Sequence, residues 1–344
     1  MNSRVAKNRW AKFLGWGVTS LIVILAITIT FTVGWRPFLG PRHRALTSRQ
    51  FESTAQRHAR GEYLVQNVTG CAVCHSVRDF TKHDDPVTPG TLLAGSHIDD
   101  PGMPGTVYAP NLTSDPETGA ASWSDDQLAR AIREGIGHDG RALFPMMPYM
   151  NYRSLSDEDL ESIIVYLRSV PPIVHSQPQT KLNFPVNLLI RSVPVPLTEP
   201  VAEPDRSTSA QRGAYLVKIA VCADCHTPSN QKGDGLPGME FSGGSTFTGN
   251  WGNVASANIT PDPSGIPYYD EKQFIQVVRT GFVGARKLNQ IMPWSTYRGM
   301  TDADLADIFA YLKTLKPVRH HVDNSLPATF CKLCRQRHGG GDQN

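Results

Sequence analysis

The sequence carries little charge and almost no excess of either sign: 19% of its residues are charged, and 34 Lys and Arg stand against 31 Asp and Glu. The resulting formal charge of +3 supplies no footprint for nucleic acid. Cysteine is scarce, six in 344 residues, and its placement does not match the disulfide framework of a small secreted domain. Histidine is missing from Thr227 to Arg319. Long apolar runs are missing as well, apart from Phe13 to Trp35, which holds no charged residue and is long enough to cross ~30 Å of hydrocarbon as a helix. That run exceeds a typical signal core and no Ala-x-Ala site follows it, which favours an uncleaved anchor over a cleaved signal peptide. Trp10, Trp16 and Trp35 lie toward its ends, where amphipathic rings favour the interface. The remainder is long enough, at 40% hydrophobic overall, to build two globular domains.

The six cysteines fall into three Cys-x-x-Cys pairs, and two of these are followed directly by histidine: Cys71-Ala72-Val73-Cys74-His75 and Cys222-Ala223-Asp224-Cys225-His226. That string is the attachment signature of c-type haem. Two cysteines three apart on a helical turn each form a thioether to one porphyrin vinyl group, and the next residue offers its imidazole to the iron from the same side. The expected cofactors are therefore two covalently bound haems c, at Cys71 and Cys74 and at Cys222 and Cys225, with His75 and His226 as axial ligands. A thioredoxin-like redox pair would need a βαβ setting. A zinc site shared by the two pairs would have to close a loop far longer than the roughly 12 to 20 residues usual for such sites.

The chain also repeats itself. Gly61-Glu62-Tyr63-Leu64-Val65 precedes the first pair and Gly213-Ala214-Tyr215-Leu216-Val217 the second; Asn111-Leu112-Thr113 recurs as Asn258-Ile259-Thr260; and Met147 to Pro172 matches Met292 to Pro317 at a constant offset of 145. Ser156 and Thr301 predict N-caps for last helices whose leucines and isoleucines follow a helical period. Ser124 with Gln127 and Gly135, and Asp270 with Gln273 and Gly281, predict a start and stop for each middle helix. Gly61 and Gly213 would let the first helix of each unit approach the last closely, against Tyr166 and Tyr311. Eight prolines between Pro171 and Pro204 read as a semi-extended linker that does not require an interface between units.

For the sixth iron ligand each unit offers a methionine before a proline, Met147 and Met292. Thioether sulfur favours ferrous iron and raises the potential. Met146 aligns with Ile291, so Met147 is preferred; His97 and His138 are rivals in the first unit, whereas the second has no histidine to offer. Arg133 and Arg279, at matched places in the middle helices, are candidates for haem propionate contacts or for plain solvated helix positions. In the third pair, Cys331-Lys332-Leu333-Cys334-Arg335, arginine stands where a proximal histidine would have to be, so no haem is expected. A local disulfide, a metal site using His320, His321 or His338, and free thiols are the open readings there.

The expected architecture is all-α: a cytoplasmic N-terminus (1–12), a transmembrane anchor (13–35), a connector (36–55), two domains (56–172 and 208–320) joined by the linker (173–207), and a surface tail (321–344). Over roughly residues 56 to 320 the chain resembles tandem dihaem members of the class I cytochrome c family, through its haem motifs, Gly-x-Tyr-Leu-Val segments, Asn-x-Thr turns and Met-Pro-aromatic loops. The resemblance implies cytochrome c domains of the kind also found in cytochrome subunits of membrane-bound alcohol and gluconate dehydrogenases, which commonly have three haem domains where this chain has two. It further implies a bacterial inner-membrane protein with its haem domains in the periplasm. Such a protein passes single electrons between redox protein partners at the membrane, from a dehydrogenase or quinol-oxidising complex toward a terminal acceptor, and takes no organic substrate and no nucleic acid. The alternative is a haem enzyme, such as a dihaem peroxidase or thiosulfate-oxidising cytochrome. Two Met-Pro loops argue against an open iron. Sensing is disfavoured because the sequence shows no recognisable output domain.

Overall fold

The computed structural model describes residues 2–100, 102–230, 233–249 and 252–340, with side chains from residue 12 onward. The last four residues of the expected tail lie outside it, as does the side chain of Trp10, one of the three tryptophans expected at the membrane interface. The N-terminal helix runs Asn2–Phe31. Its segment Lys12–Phe31 is long and apolar enough to cross a membrane and none of it is covered by the rest of the chain.

Each repeat unit is built on three helices. The leading helices are Ala55–Tyr63, continued by one π-helical turn at Leu64–Val68, and Ser209–Ile219; Thr54 and Thr208 cap them, accepting from the backbone N–H of Arg57 and Gln211. The middle helices are Asp125–Glu134 and Glu271–Thr280. Ser124 and Gln127 form a reciprocal capping box on the first and Asp270 caps the second, while Gly135 (φ 71°) and Gly281 (φ 70°) end them in the left-handed conformation the sequence predicts. The last helices, Asp157–Ser169 and Asp302–Thr314, start at Ser156 and Thr301.

Leading and last helices cross at the small residue. A Cβ on Gly61 would lie 1.9 Å from Ser162 O and 2.8 Å from Tyr166 Cβ, and one on Gly213 would lie 1.9 Å from Asp307 O. The predicted close approach therefore holds in both units, with Tyr166 at the first crossing and the Asp307 backbone in place of Tyr311 at the second. Backbone cannot yield as a flexible side chain can, so Gly61→Ala or Gly213→Ala is expected to destabilise its unit by about 1–3 kcal/mol or more. Thermal unfolding of the detergent-solubilised holoprotein measures this, and an unchanged midpoint would contradict the crossing.

Helices dominate, but the expectation of an all-α chain needs correction. Short antiparallel pieces occupy the segments between helices, the linker and the tail: Ser96–Ile98 with Gly105–Ala109 and Lys181–Leu182, Thr246–Gly249 with Gly252–Ala255, Phe282–Val283 with Arg286–Lys287, and Thr329–Phe330 with Arg337–His338. These strands are two to five residues long, at or below the short end of the range in which alternating hydrophobicity is readable.

The linker is extended, as its prolines suggest, but it is bound along the first unit. Lys181 and Leu182 add a strand to its hairpin, and Val201 O accepts the backbone N–H of Asp157. The connector is tied down as well. The Arg44 guanidinium reaches Asp126 (2.6 Å) and Glu134 (2.8 Å), Arg49 reaches Asp126 (2.8 Å), and the Thr47 backbone N–H donates to Asp126 (2.7 Å).

The two units share one hydrophobic core and meet through reciprocal contacts that a pseudo-twofold relation requires. Tyr63 donates to Asp304 and accepts from the backbone N–H of Thr301 (3.2 Å); its counterpart Tyr215 donates to Asp159 (2.7 Å) and accepts from Ser156 (3.1 Å). Each tyrosine thus caps the start of the other unit's last helix.

Candidate functional site

Both Cys-x-x-Cys-His strings fold as five-residue helices, Cys71–His75 and Cys222–His226, so the two sulfurs of each lie one turn apart. A sharp bend sets each helix off from the leading helix, with Gly70 (φ 63°) and Val221 (φ 56°) in the left-handed region. Glycine adopts that conformation freely, whereas β-branched Val221 is strained there. Tyr152 Oη and Tyr297 Oη clamp the bends by donating to Thr69 O (2.6 Å) and Ala220 O (2.7 Å).

The four thiols are unbonded, and burial pushes Cys71 and Cys225 up to about 11, Cys222 up to about 12 and Cys74 upward as well. At neutral pH they are thiols, unlike the low-pKa thiolates of a redox pair. Nor do the two pairs converge on a shared metal site. Among the described residues the one cluster of three or more metal-binding side chains lies elsewhere, in the tail.

The histidines are oriented by backbone. His75 Nδ1 lies 2.8 Å from Pro110 O and His226 Nδ1 lies 2.8 Å from Ala257 O. A carbonyl only accepts, so the proton sits on Nδ1 and the lone pair on Nε2. Burial lowers both imidazole pKa values despite the carbonyl contacts, which keeps the rings neutral and able to ligate. The Asn-x-Thr turns supply those carbonyls. Asn111 Oδ1 accepts from Thr113 N and Oγ1 (2.9 and 2.7 Å) while its Nδ2 donates to Ile173 O (2.8 Å); Asn258 repeats this with Thr260 and Val318 O (2.9, 2.8 and 2.8 Å). The residue before each asparagine is the one that holds the histidine. The sequence repeat flagged these turns but not this duty.

Met147 and Met292 occupy equivalent turns, in which the residue after the proline donates its backbone N–H to the methionine carbonyl (2.8 and 2.7 Å). Both are half-buried, and Met147 packs against the same core as Cys71. Met146 and Ile291 are exposed. The rival histidines lie outside: His97 is an exposed hairpin residue beside Tyr108 (4.9 Å), and exposed His138 stacks on the Trp123 indole (4.3 Å). Tyr149 and Trp294, which follow the Met-Pro pairs, are buried against Gly135 and Gly281, and neither Tyr149 Oη nor Trp294 Nε1 has a hydrogen-bond partner in the protein.

The matched arginines have structural duties. Arg133 reaches Asp157 (2.5 Å) and Leu155 O, and Arg279 reaches Asp302 (2.6 Å) and Arg298 O, so each ties its middle helix to the start of the last one. Each arginine thus has a carboxylate and a carbonyl of its own unit as partners. Sequence reasoning missed Arg78, which is buried beside Cys74, paired with Asp85 and hydrogen-bonded to Ser295 of the other unit (3.2 Å); burial lowers it to about 10. It also missed Asn151, whose amide donates to both oxygens of Asp224 inside the second motif (3.0 and 2.8 Å). Reciprocally, a Cβ on Gly70 would lie 3.7 Å from Thr296. Each motif therefore borders the other unit's Met-Pro-aromatic segment.

The sequence profile of the cytochrome c family matches residues 58–171 and again 210–316. The chain belongs to the cytochrome c family. Its two cytochrome c domains coincide with the repeat units. It is similar to one of the subunits of nicotinate dehydrogenase from Pseudomonas putida, 33% identical over 72% of this chain and 20% of that protein. It is 29% identical to the fructose dehydrogenase cytochrome subunit of Gluconobacter japonicus over 80% of this chain and 56% of the relative. A diheme cytochrome c-type protein of Cereibacter sphaeroides is 28% identical over 48% of this chain and 55% of the relative. The chain thus spans a fifth to somewhat over half the length of these curated relatives.

Proposed function

We propose that the chain is a membrane-anchored dihaem electron-transfer subunit, with haem attached at Cys71 and Cys74 and at Cys222 and Cys225 and ligated by His75 with Met147 and His226 with Met292. The observation that carries this is the doubled arrangement of a Cys-x-x-Cys-His turn, a histidine fixed with Nε2 free, and a Met-Pro loop. The residues fit the group: each motif offers two neutral thiols a helical turn apart. The buried Tyr149 hydroxyl and Trp294 indole N–H are donors for which porphyrin carboxylates supply acceptors. Haem supplies one-electron exchange at iron.

The chain's own residues set the conditions for that exchange. Pro110 O and Ala257 O hold the imidazoles in one tautomer, and the Asn111 and Asn258 turns hold those carbonyls. The interface contacts of Asn151 with Asp224 and of Arg78 with Ser295 keep the two motifs at a fixed separation, which suits transfer between them. The exposed apolar helix Lys12–Phe31 is read as the anchor, and the two haem-attachment motifs support a periplasmic side for both domains. The likeness to dehydrogenase cytochrome subunits supports a dehydrogenase as electron donor.

Met147→Ala and Met292→Ala test the ligand assignment. Each is expected to open one iron to carbon monoxide, to weaken the near-infrared sulfur-to-iron band, and to lower one potential by on the order of 0.1–0.3 V. Unaltered spectra in both variants would refute the ligands. Purification from native membranes in mild detergent is expected to bring down a dehydrogenase or quinol-oxidising complex with the chain; high peroxidase turnover by the isolated protein would favour the enzyme reading.

A further inference from the structure

The third cysteine pair does not fold like the other two. Cys331 to Gln336 forms the turn of the small hairpin Thr329–Phe330 and Arg337–His338, closed by Cys331 N–H to Gln336 O (2.8 Å) and Arg335 N–H to Cys331 O (2.9 Å). Arg335 sits in the left-handed region (φ 58°), so the residue that replaces a haem histidine serves to reverse the chain. Both sulfurs turn inward toward two imidazoles. Cys334 Sγ lies 2.9 Å from His338 Nε2, Cys331 Sγ lies 3.4 Å from His320 Nε2, and all four ligand atoms lie within 4.8 Å of one another.

We propose that Cys331, Cys334, His320 and His338 form a structural zinc site that fastens the tail to the second cytochrome c domain. Two sulfurs and two imidazole nitrogens are the donor set of closed, tetrahedral Zn²⁺ sites, whose ligand-to-ligand edges are roughly 3.3–3.8 Å. The pair is spaced Cys-x-x-Cys, and His338 follows Cys334 after three residues, a separation short enough for one turn to present all three ligands.

The site is supported from outside. His320 Nδ1 lies 3.0 Å from Ser242 O, which leaves Nε2 as the ligating atom, as a second-sphere carbonyl does for metal-bound histidine. Gly244 (φ 94°) leaves room for the rings: a Cβ there would lie 2.5 Å from His320 Cε1 and 3.2 Å from His338 Nε2.

The internal repeat separates what His320 does as part of the fold from what the cluster does. His175 is its counterpart in the first unit, and His175 Nδ1 makes the same kind of contact, 2.9 Å to Ala94 O. The repeat therefore accounts for one histidine held by a carbonyl. It does not account for Cys331, Cys334 and His338, which converge on His320 alone.

Burial points the same way. From residue 321 to 340 the buried residues are Asn324, Cys334, His338 and Gly339, while Leu326, Phe330 and Leu333 are exposed. The segment has no apolar core of its own, and a metal staple is a common substitute for one. The fastening reaches the second haem motif in two steps, since Gly243, next to Ser242, donates its backbone N–H to His226 O (2.7 Å).

The test is metal analysis of the haem-loaded full chain, equilibrated with Zn²⁺ under thiol-preserving conditions and then freed of excess metal. About one zinc per chain is expected beside the haem iron, with zinc-edge X-ray absorption giving two sulfur ligands at about 2.3 Å and two nitrogen ligands at about 2.0 Å. Cys334→Ser and His338→Ala should each lower the zinc content at least tenfold with haem iron and spectra unchanged. A chelator should expose two titratable thiols and make the tail cleavable by protease after Pro317. Absence of zinc from the wild-type protein, an intact Cys331–Cys334 disulfide in protein isolated without oxidant, or unchanged zinc in both variants would each overturn the proposal.

Discussion

Replacing Cys222 and Cys225 together by serine is expected to remove one of two covalent haems. Denaturing mass measurement should show two haem additions on the wild-type chain, one on this variant, and two on a variant in which Cys331 and Cys334 are serine. The expectation follows from local shape. Both haem motifs are helical turns ending in a histidine whose Nδ1 is anchored to backbone, whereas the third pair turns a hairpin and ends in Arg335. Because each motif packs against the other unit through Asn151, Asp224 and Thr296, loss of one haem should also shift the spectrum of the haem that remains. A wild-type count of one or three would sink the assignment.

The second large effect is expected at the connector. Arg44 is the cation that Asp126 and Glu134, both buried, share. Arg44→Ala leaves two carboxylates short of their partner inside the protein, a loss of about 3–5 kcal/mol, which for a domain of this size lowers the melting temperature by roughly 10 °C. Calorimetry of wild type and variant measures it. The effect depends on pH in a defined direction. Burial by itself pushes Asp126 up, but the hydrogen bonds from Arg44 and Thr47 and the charges of Arg44 and Arg49 outweigh it and hold the carboxyl at about 2. A carboxyl whose folded pKa lies below its unfolded one stabilises fully above the unfolded value and loses that contribution as pH falls through the folded one. The gap between wild type and Arg44→Ala should therefore be constant near neutrality and narrow between about pH 4 and pH 2. A gap that widened on acidification would show that Asp126 is not the group Arg44 serves.

Sequence alone determined what is local and repeated. Helix starts at Ser124, Ser156 and Thr301 and stops at Gly135 and Gly281 were readable because a cap is a side chain bonding to backbone two or three residues away, and a left-handed stop needs glycine. The Cys-x-x-Cys-His strings carried their helical turns in their spacing, and the internal repeat anticipated the two matches to the cytochrome c family. Gly61 and Gly213 betrayed the helix crossing because a residue without a side chain, flanked by a helical pattern, marks close approach.

Tertiary structure decided what depends on partners distant in the chain. Arg133 and Arg279 look alike whether they meet a propionate or a helix start, and only the fold shows Asp157 and Asp302 in front of them. The docked linker, the tyrosines crossing between units and Arg78 beside Ser295 rest on contacts between residues far apart in the chain, for which one sequence holds no local signal. The tail shows the division most sharply. Its cysteine spacing and the missing haem histidine were plain in the sequence. That His320 and His338 close on those sulfurs depends on a hairpin, a left-handed Arg335 and the open space at Gly244, which only the folded chain brings together.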